Sequence, residues 1–192
     1  MSWDKELKDY RYYLSLEKKL SENTVQAYLH DLARISNYME HTFGITEPEK
    51  VTADQIESFL AHLYDTGVEK ATQARELSGI KSFFNYLMLN DRIETAPTEF
   101  IEAPKIGRKL PDVLSVEEIN AVIGSIDLSS RFGHRNKAML ETLYSCGLRV
   151  SELITLRISD LFFTDGFIRV IGKGDKQRLV PISETAIRLI TL

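Results

Sequence analysis

The chain of 192 residues is 43% hydrophobic and 27% charged, carries a net charge of -4 and has a single cysteine. Such a composition excludes a disordered chain, and the shortness of its apolar runs excludes a membrane span. One cysteine excludes an internal disulfide, and the polar, mixed-charge start through Asp9 lacks the basic-then-apolar order of a signal peptide, so a cytoplasmic protein is expected.

The length suits two small domains, each able to bury a core without disulfides. Charge divides unevenly between them. Residues 1–104 hold 11 basic and 18 acidic side chains, and residues 105–192 hold 13 and 10, so the second half is the basic one. The negative total argues against a nucleic-acid partner, but local clustering outweighs it, since salt screens charges more than ~8 Å apart.

One helix opens the chain, and three more fill most of the first hundred residues. From Asn23 to Glu40 a single stripe carries Val25, Tyr28, Leu29, Leu32, Ile35 and Met39, with Ser21 and Asn23 as candidate caps. Thr52 opens a shorter helix through Ile56, Phe59, Leu60 and Leu63, which Gly67 ends. The fourth runs from Ala71 to Leu89, with Leu77, Ile80, Phe84 and Leu87 on one side and Arg75, Ser78, Lys81, Ser82 and Asn85 on the other. This acid-free polar face suits a sugar-phosphate backbone, although taken alone a plain solvated face is the commoner explanation.

Glu102 to Asp112 holds two prolines, a glycine, three basic residues and no apolar period, and reads as a linker. The organisation expected is therefore a helical domain over 1–101, a basic linker over 102–111 and a second domain over 112–192. Ser115-Val-Glu-Glu118 is a capping box whose helix runs to about Ile126. Arg135 to Tyr144 forms the next helix, closed by Gly147, and Arg149 to Leu156 a further short one. Phe167–Ile171 and Arg178–Ile182 read as a hairpin burying Val170, Ile171, Leu179 and Val180, with Leu161–Phe163 as a candidate third strand.

Two segments carry chemistry. In Leu143-Tyr-Ser-Cys-Gly-Leu-Arg-Val-Ser-Glu-Leu153, Arg149 follows a helix stop and opens the next helix, where its guanidinium adds to the positive end of the helix dipole. Glu152, three residues on, lies on the same face and is placed to hold Arg149 in one rotamer while its other donors reach a phosphate. An isolated Arg-x-x-Glu is more often a surface salt bridge worth roughly 0 to 1 kcal/mol. In Gly-Lys-Gly-Asp-Lys-Gln-Arg, residues 172–178, Lys173 stands between two glycines with two more bases close by. This is not a Walker loop, because Phe167 and Gly174 occupy the places where that pattern needs a glycine and a hydroxyl. The four histidines are scattered without ligand spacing, and Cys146 reads as a small buried residue.

Taken in order, these motifs resemble the tyrosine recombinase (phage integrase) family, in particular its Xer-type members. Ser21-Glu-Asn-Thr-Val-Gln-Ala-Tyr-Leu-His-Asp-Leu32 and Ala71-Thr-Gln-Ala-Arg-Glu-Leu-Ser-Gly-Ile-Lys-Ser-Phe-Phe-Asn-Tyr-Leu87 are similar to its amino-terminal core-binding helices. Pro104 to Pro111 is similar to its linker, and Arg135 to Leu153 with the Gly-Lys-Gly hairpin to the opening of its catalytic domain. Thr95-Ala-Pro-Thr98 departs from the Asn-Pro or Asp-Pro common in the family at that turn.

The fold implied is mainly α: a four-helix, SAM-like core-binding domain followed by the first part of an α+β catalytic domain with a small antiparallel sheet. The activity implied is cleavage and rejoining of DNA through a 3′-phosphotyrosyl intermediate, with no metal, no cofactor and no external energy source. Arg149 matches the arginine that stabilises the pentavalent phosphate, Lys173 the lysine that protonates the departing 5′-hydroxyl, and Glu152 an accessory residue that orients the site. Thr72, Arg75 and Lys81 on the fourth helix, Arg108 and Lys109 in the linker, and Lys176 and Arg178 in the hairpin are expected to meet DNA.

The resemblance also implies a His-x-x-Arg segment and a tyrosine nucleophile beyond Leu192, since no segment here matches them. The chain is thus expected to be part of a recombinase that is inactive alone and monomeric, with exposed apolar surface and a less stable second domain. Its complete protein would pair with a second recombinase protomer on a double-stranded recombination site, for chromosome dimer resolution or integration of a mobile element. The alternatives are a non-catalytic DNA-binding or regulatory module derived from the family, and a helical protein-interaction domain.

Overall fold

A computed structural model describes residues 2–107 and 112–192. The chain divides into two compact units, Met1–Lys109 and Leu110–Leu192. Arg108 and Lys109 lie outside the described residues.

In the first unit, α1 (Trp3–Tyr12) runs on through a π turn at Tyr13–Glu17. Then come α2 (Glu22–Tyr38), extended by a second π turn at Met39–Phe43, α3 (Ala53–Asp65) and α4 (Lys70–Leu89). Local chemistry sets the ends. Gly44 stops the second π turn with φ +68°, and the Gln55 side chain accepts a hydrogen bond from the Thr52 amide at 2.9 Å to start α3. Ser21 occupies the N-cap of α2, but its hydroxyl pairs with that of Thr24 and not with a helix amide.

The core is the expected one: Val25, Leu32 and Ile35 of α2 and Met39 of the π turn that extends it are fully buried with Ile56, Phe59 and Leu63 of α3 and Leu77, Ile80, Phe84 and Leu87 of α4. An aromatic cluster joins α1 to α4, with Trp3 and Tyr10 at ring distances of 5.8 and 5.3 Å from Phe83. The Tyr10 hydroxyl also hydrogen-bonds Ser82 at 2.8 Å. That contact takes Ser82 out of the polar face expected on α4.

The second unit contains α5 (Val116–Gly124), α6 (Gly133–Cys146), α7 (Val150–Ile154), a sheet of β1 (Leu161–Phe162), β2 (Phe167–Ile171) and β3 (Gln177–Pro181), and α8 (Glu184–Thr191). The capping box at Ser115 forms, with reciprocal bonds of 2.7 and 3.2 Å to Glu118. The strands are antiparallel in the order β1-β2-β3. The last helix was not expected from the sequence. Ser183 caps it, accepting from the Ala186 amide, and it packs on α6 with Ala186 fully buried.

Strand register corrects the expected burial. Ile168 pairs with Val180 and Val170 with Arg178, and directly opposed residues share a face. Ile168 and Val170 are buried with Val180 packed beside them, whereas Ile171 and Leu179 are exposed on the other face. Adjacent strand residues cannot both point inward, because side chains alternate with period 2.

Candidate functional site

The second unit brings Arg149, Glu152 and the hairpin turn together. Gly147, at φ +57°, ends α6 in the left-handed region. The Leu148 amide then bonds back to the Leu143 carbonyl at 3.2 Å, and the chain turns so that Arg149 becomes the N-cap of α7. Glu152 reaches back, its Oε2 accepting from the Arg149 amide at 2.8 Å and its Oε1 from Arg149 Nη1 at 2.9 Å. Glu152 is buried, while the Arg149 side chain is 74% exposed. One guanidinium nitrogen is thus anchored to a fixed carboxylate, and the rest of the group faces solvent.

The hairpin supplies the other half of this arrangement. Arg178 donates to Glu152 from Nη1 at 2.8 Å and from Nη2 at 2.9 Å, a bidentate pair. The strand register that sets Arg178, expected from the sequence to meet DNA, beside Val170 aims it at α7, so both terminal nitrogens engage Glu152 while the side chain stays partly exposed. The sequence reading missed this, though strict alternation from Val180 to Arg178 carried the signal. The Arg178 pair, then the Arg149 amide, hold the Glu152 carboxyl down at about 2, against the opposing effect of burial and with further help from the Arg149 guanidinium.

The hairpin turn rests on this ion pair. The Gly172 amide donates to the Lys176 carbonyl at 2.8 Å, closing a 3-10 turn over Lys173–Asp175 in which Gly174 has φ +73°. A Cβ built on Gly172 would stand 3.5 Å from Arg178 Nη1 and 3.6 Å from Glu152 Oε1. Lys176 is exposed beside the turn, and the side chain of Lys173 lies outside the described part of the structure. Arg149, Ser151, Glu152, Thr155, Ile171 and Gly172 line an open cavity of about 420 Å³.

Away from this cavity, Asp160, also buried, accepts from Arg169 Nε and Nη2 at 2.9 and 2.7 Å, which pulls its carboxyl below the ordinary range. Burial pushes the Cys146 thiol up, as befits a packing residue.

In the first unit, the α4 face expected to be free of acids is partly neutralised from within. Arg75 pairs with Asp31 of α2, and Arg34 of α2 pairs with Glu76 of α4. Both carboxylates are buried, each leaving one oxygen, Asp31 Oδ1 and Glu76 Oε2, without a hydrogen-bond partner among the described residues, although His30 Nδ1 stands 3.9 Å from Asp31 Oδ1, while the two guanidinium groups stay partly exposed. Arg34 was not singled out from the sequence, because its partner lies 42 residues away. Thr72 and Lys81 are half-buried on the same helix.

Two family models match: the phage integrase N-terminal SAM-like domain over residues 7–91 and the phage integrase family over residues 112–191. Among curated relatives, the chain is 41% identical over 180 residues to a protein named tyrosine recombinase XerD from Oceanobacillus iheyensis, covering 94% of this chain and 60% of the relative. It is 38% identical over 180 residues to the protein of the same name from Listeria monocytogenes, covering 94% and 61%. The chain therefore spans about 61% of the length of that relative.

Among solved structures, a lambda integrase dimer bound to a COC′ core site matches with a TM-score of 0.74 at 19% identity, over 94% of this chain and 49% of that one. The Tn1549 transposon integrase in complex with circular intermediate DNA matches with a TM-score of 0.67 at 18% identity, over all of this chain and 64% of that one. At such identities the likeness is one of fold. With a SAM-like helical unit, a second unit carrying a small antiparallel sheet, and both family models matched in order, the chain belongs to the phage integrase family of tyrosine recombinases.

Proposed function

We propose that this chain holds duplex DNA and carries part of the phosphate chemistry of a site-specific recombinase, whose complete form cleaves and rejoins strands through a 3′-phosphotyrosyl intermediate. The observation that supports this most is Arg149: one guanidinium nitrogen is anchored to buried Glu152 while most of the side chain is open to solvent. An arginine ordered in advance costs little reorganisation when negative charge builds on a phosphate.

In this reading a tyrosine oxygen attacks the scissile phosphorus, and the bond to the 5′-oxygen breaks. Arg149 stabilises the charge on the non-bridging oxygens. Lys173 gives its proton to the leaving 5′-oxygen, a role that rests on the family resemblance and on its place in the glycine turn. Glu152 orients Arg149. The tyrosine and the His-x-x-Arg segment belong to the complete protein. Arg75, Lys81, Thr72, Arg108, Lys109 and Lys176 are proposed DNA contacts, and Arg34 joins them because it shares the paired, half-exposed arrangement of Arg75. A second recombinase protomer on the same site, and work on cytoplasmic DNA, belong to the same proposal.

The test is binding of the chain to a palindromic recombination-site duplex and to a scrambled one across a salt series. Tighter binding to the site that weakens by orders of magnitude between about 50 and 200 mM salt is expected for a protein neutralising several phosphates. Absence of binding at low salt would remove the DNA-holding role. In the complete protein, Arg149→Ala is expected to abolish strand cleavage with duplex affinity nearly kept, and cleavage at the wild-type rate would remove the role given to Arg149.

A further inference from the structure

We infer that Arg178 is a positioning residue: through Glu152 it sets the orientation of the Arg149 guanidinium and ties the glycine turn that contains Lys173 to the same carboxylate. The inference rests on the reading of Arg149 as a phosphate-binding group and deepens it.

Geometry carries the argument. Glu152 accepts four hydrogen bonds, two from Arg149 and two from Arg178, and both of its oxygens are used from both sides. Arg149 alone could not fix that carboxylate. Its main-chain amide and its Nη1 move with the same short helix as Glu152, so their bonds hold the three residues together locally and leave the group free to shift as a whole. Arg178 comes from β3, 26 residues further along the chain, and β3 is locked by register to β2, whose Ile168 and Val170 are buried in the core. Its fork is planar and meets the two carboxylate oxygens in parallel, a geometry that a lysine cannot reproduce.

The turn is part of the same unit. Gly172 lies against both members of the pair, close enough that a Cβ there would touch Arg178 Nη1 and Glu152 Oε1 at ordinary contact distance. The carboxylate is therefore the shared reference for Arg149 on one side and for the start of the turn on the other. A purely stabilising salt bridge would need none of this convergence. Asp160 with Arg169 is such a case: its carboxylate takes two bonds from a strand arginine and one from the Arg157 amide, and among the described residues no second guanidinium is hydrogen-bonded to it.

The test follows the Arg149 Nε–Hε resonance of this chain during titration with inorganic sulfate, a tetrahedral dianion whose charge is constant from pH 4 to 7. The wild type is expected to respond at Arg149 equally at both pH values, because Glu152 stays ionised. Arg178→Gln is expected to respond about tenfold more weakly at pH 7. It should weaken further towards pH 4, because Glu152 without Arg178 returns towards the ordinary carboxylate range, near 4.3. Backbone amide signals of Ile168 and Val170 report whether the unit stays folded.

Should Arg178→Gln unfold it, Arg178→Lys decides, since it keeps the charge and loses the fork; it is expected to weaken the response severalfold. Sulfate affinity and pH profile equal to wild type in a folded Arg178 variant would overturn the inference. A wild-type chain that gives no response at Arg149 would instead remove the phosphate reading itself, and the inference with it.

Discussion

Glu76 of α4 and Arg34 of α2 form one arm of a crossed pair, whose other arm joins Asp31 of α2 to Arg75 of α4. Each helix contributes one acid and one base, and the acids lie inside while the bases reach the surface. Burial pushes the Glu76 carboxyl above its ordinary range; Arg34 pulls the other way, Asp31 adds to the rise, and Arg75 opposes it. An acid whose pKa is higher in the folded than in the unfolded state costs stability wherever it is ionised, and that cost disappears as pH falls to the unfolded value. The first unit of the wild type is therefore expected to gain stability relative to Glu76→Gln between pH 7 and about 4.3. Urea unfolding followed by the fluorescence of Trp3 measures this, and a difference that shrank on acidification would contradict it.

Glu152 acts in the opposite sense. Its carboxyl is held at about 2 by Arg178 and the Arg149 amide, so its contribution is present above the unfolded value, near 4.3, and is lost as pH falls towards 2. Relative to Glu152→Gln, the second unit of the wild type should lose stability over that window. Amide exchange at Ile168 and Val170 reads this unit separately, and a flat difference from pH 5 to 2 would remove the linkage.

Phe83 is fully buried between Trp3 and Tyr10. Phe83→Ala opens a cavity and should cost the first unit about 3 to 5 kcal/mol. Because Trp3 stacks on this ring at 5.8 Å, its emission should also shift in the folded state. Unchanged emission with unchanged stability would mean that α1 does not dock on α4 through this ring.

The glycine that begins α6 and the one that caps its end should fail differently when replaced by alanine. At Gly133 a Cβ would overlap the Asp127 carbonyl oxygen and stand 2.8 Å from Leu128 Cα. Both are backbone atoms that cannot rotate aside, so a loss of about 1 to 3 kcal/mol is expected. At Gly147 there is open space but φ is +57°, so the cost is the left-handed conformation alone, about 1 kcal/mol. Urea titration of the second unit ranks the two, and Gly147→Ala as the more damaging change would refute the steric account.

The second unit also bears on how far apolar patterning reaches. Ile158, Ile154 and Leu179 are exposed, whereas the sequence reading had placed Leu179 and Ile171 inside. Both belong to strands with apolar residues on either face, where composition marks a strand but not its inward side. The closing helix α8 was missed for a related reason: its eight residues hold too few turns for a clear period, and only Ser183 marks its start.

What the residues alone determined rests on short-range spacing. The stripe of α2, the capping box at Ser115, the stop at Gly147, the glycine turn and the Arg149–Glu152 pair all follow from periods of 3.6 and 2 or from contacts three residues apart. The family resemblance adds their order. Only the tertiary structure decided where Arg178 and Arg75 send their guanidinium groups, because their partners, Glu152 and Asp31, lie 26 and 44 residues away. A strand register settles the first pairing and the packing of α2 on α4 the second, and neither leaves a local pattern in the chain.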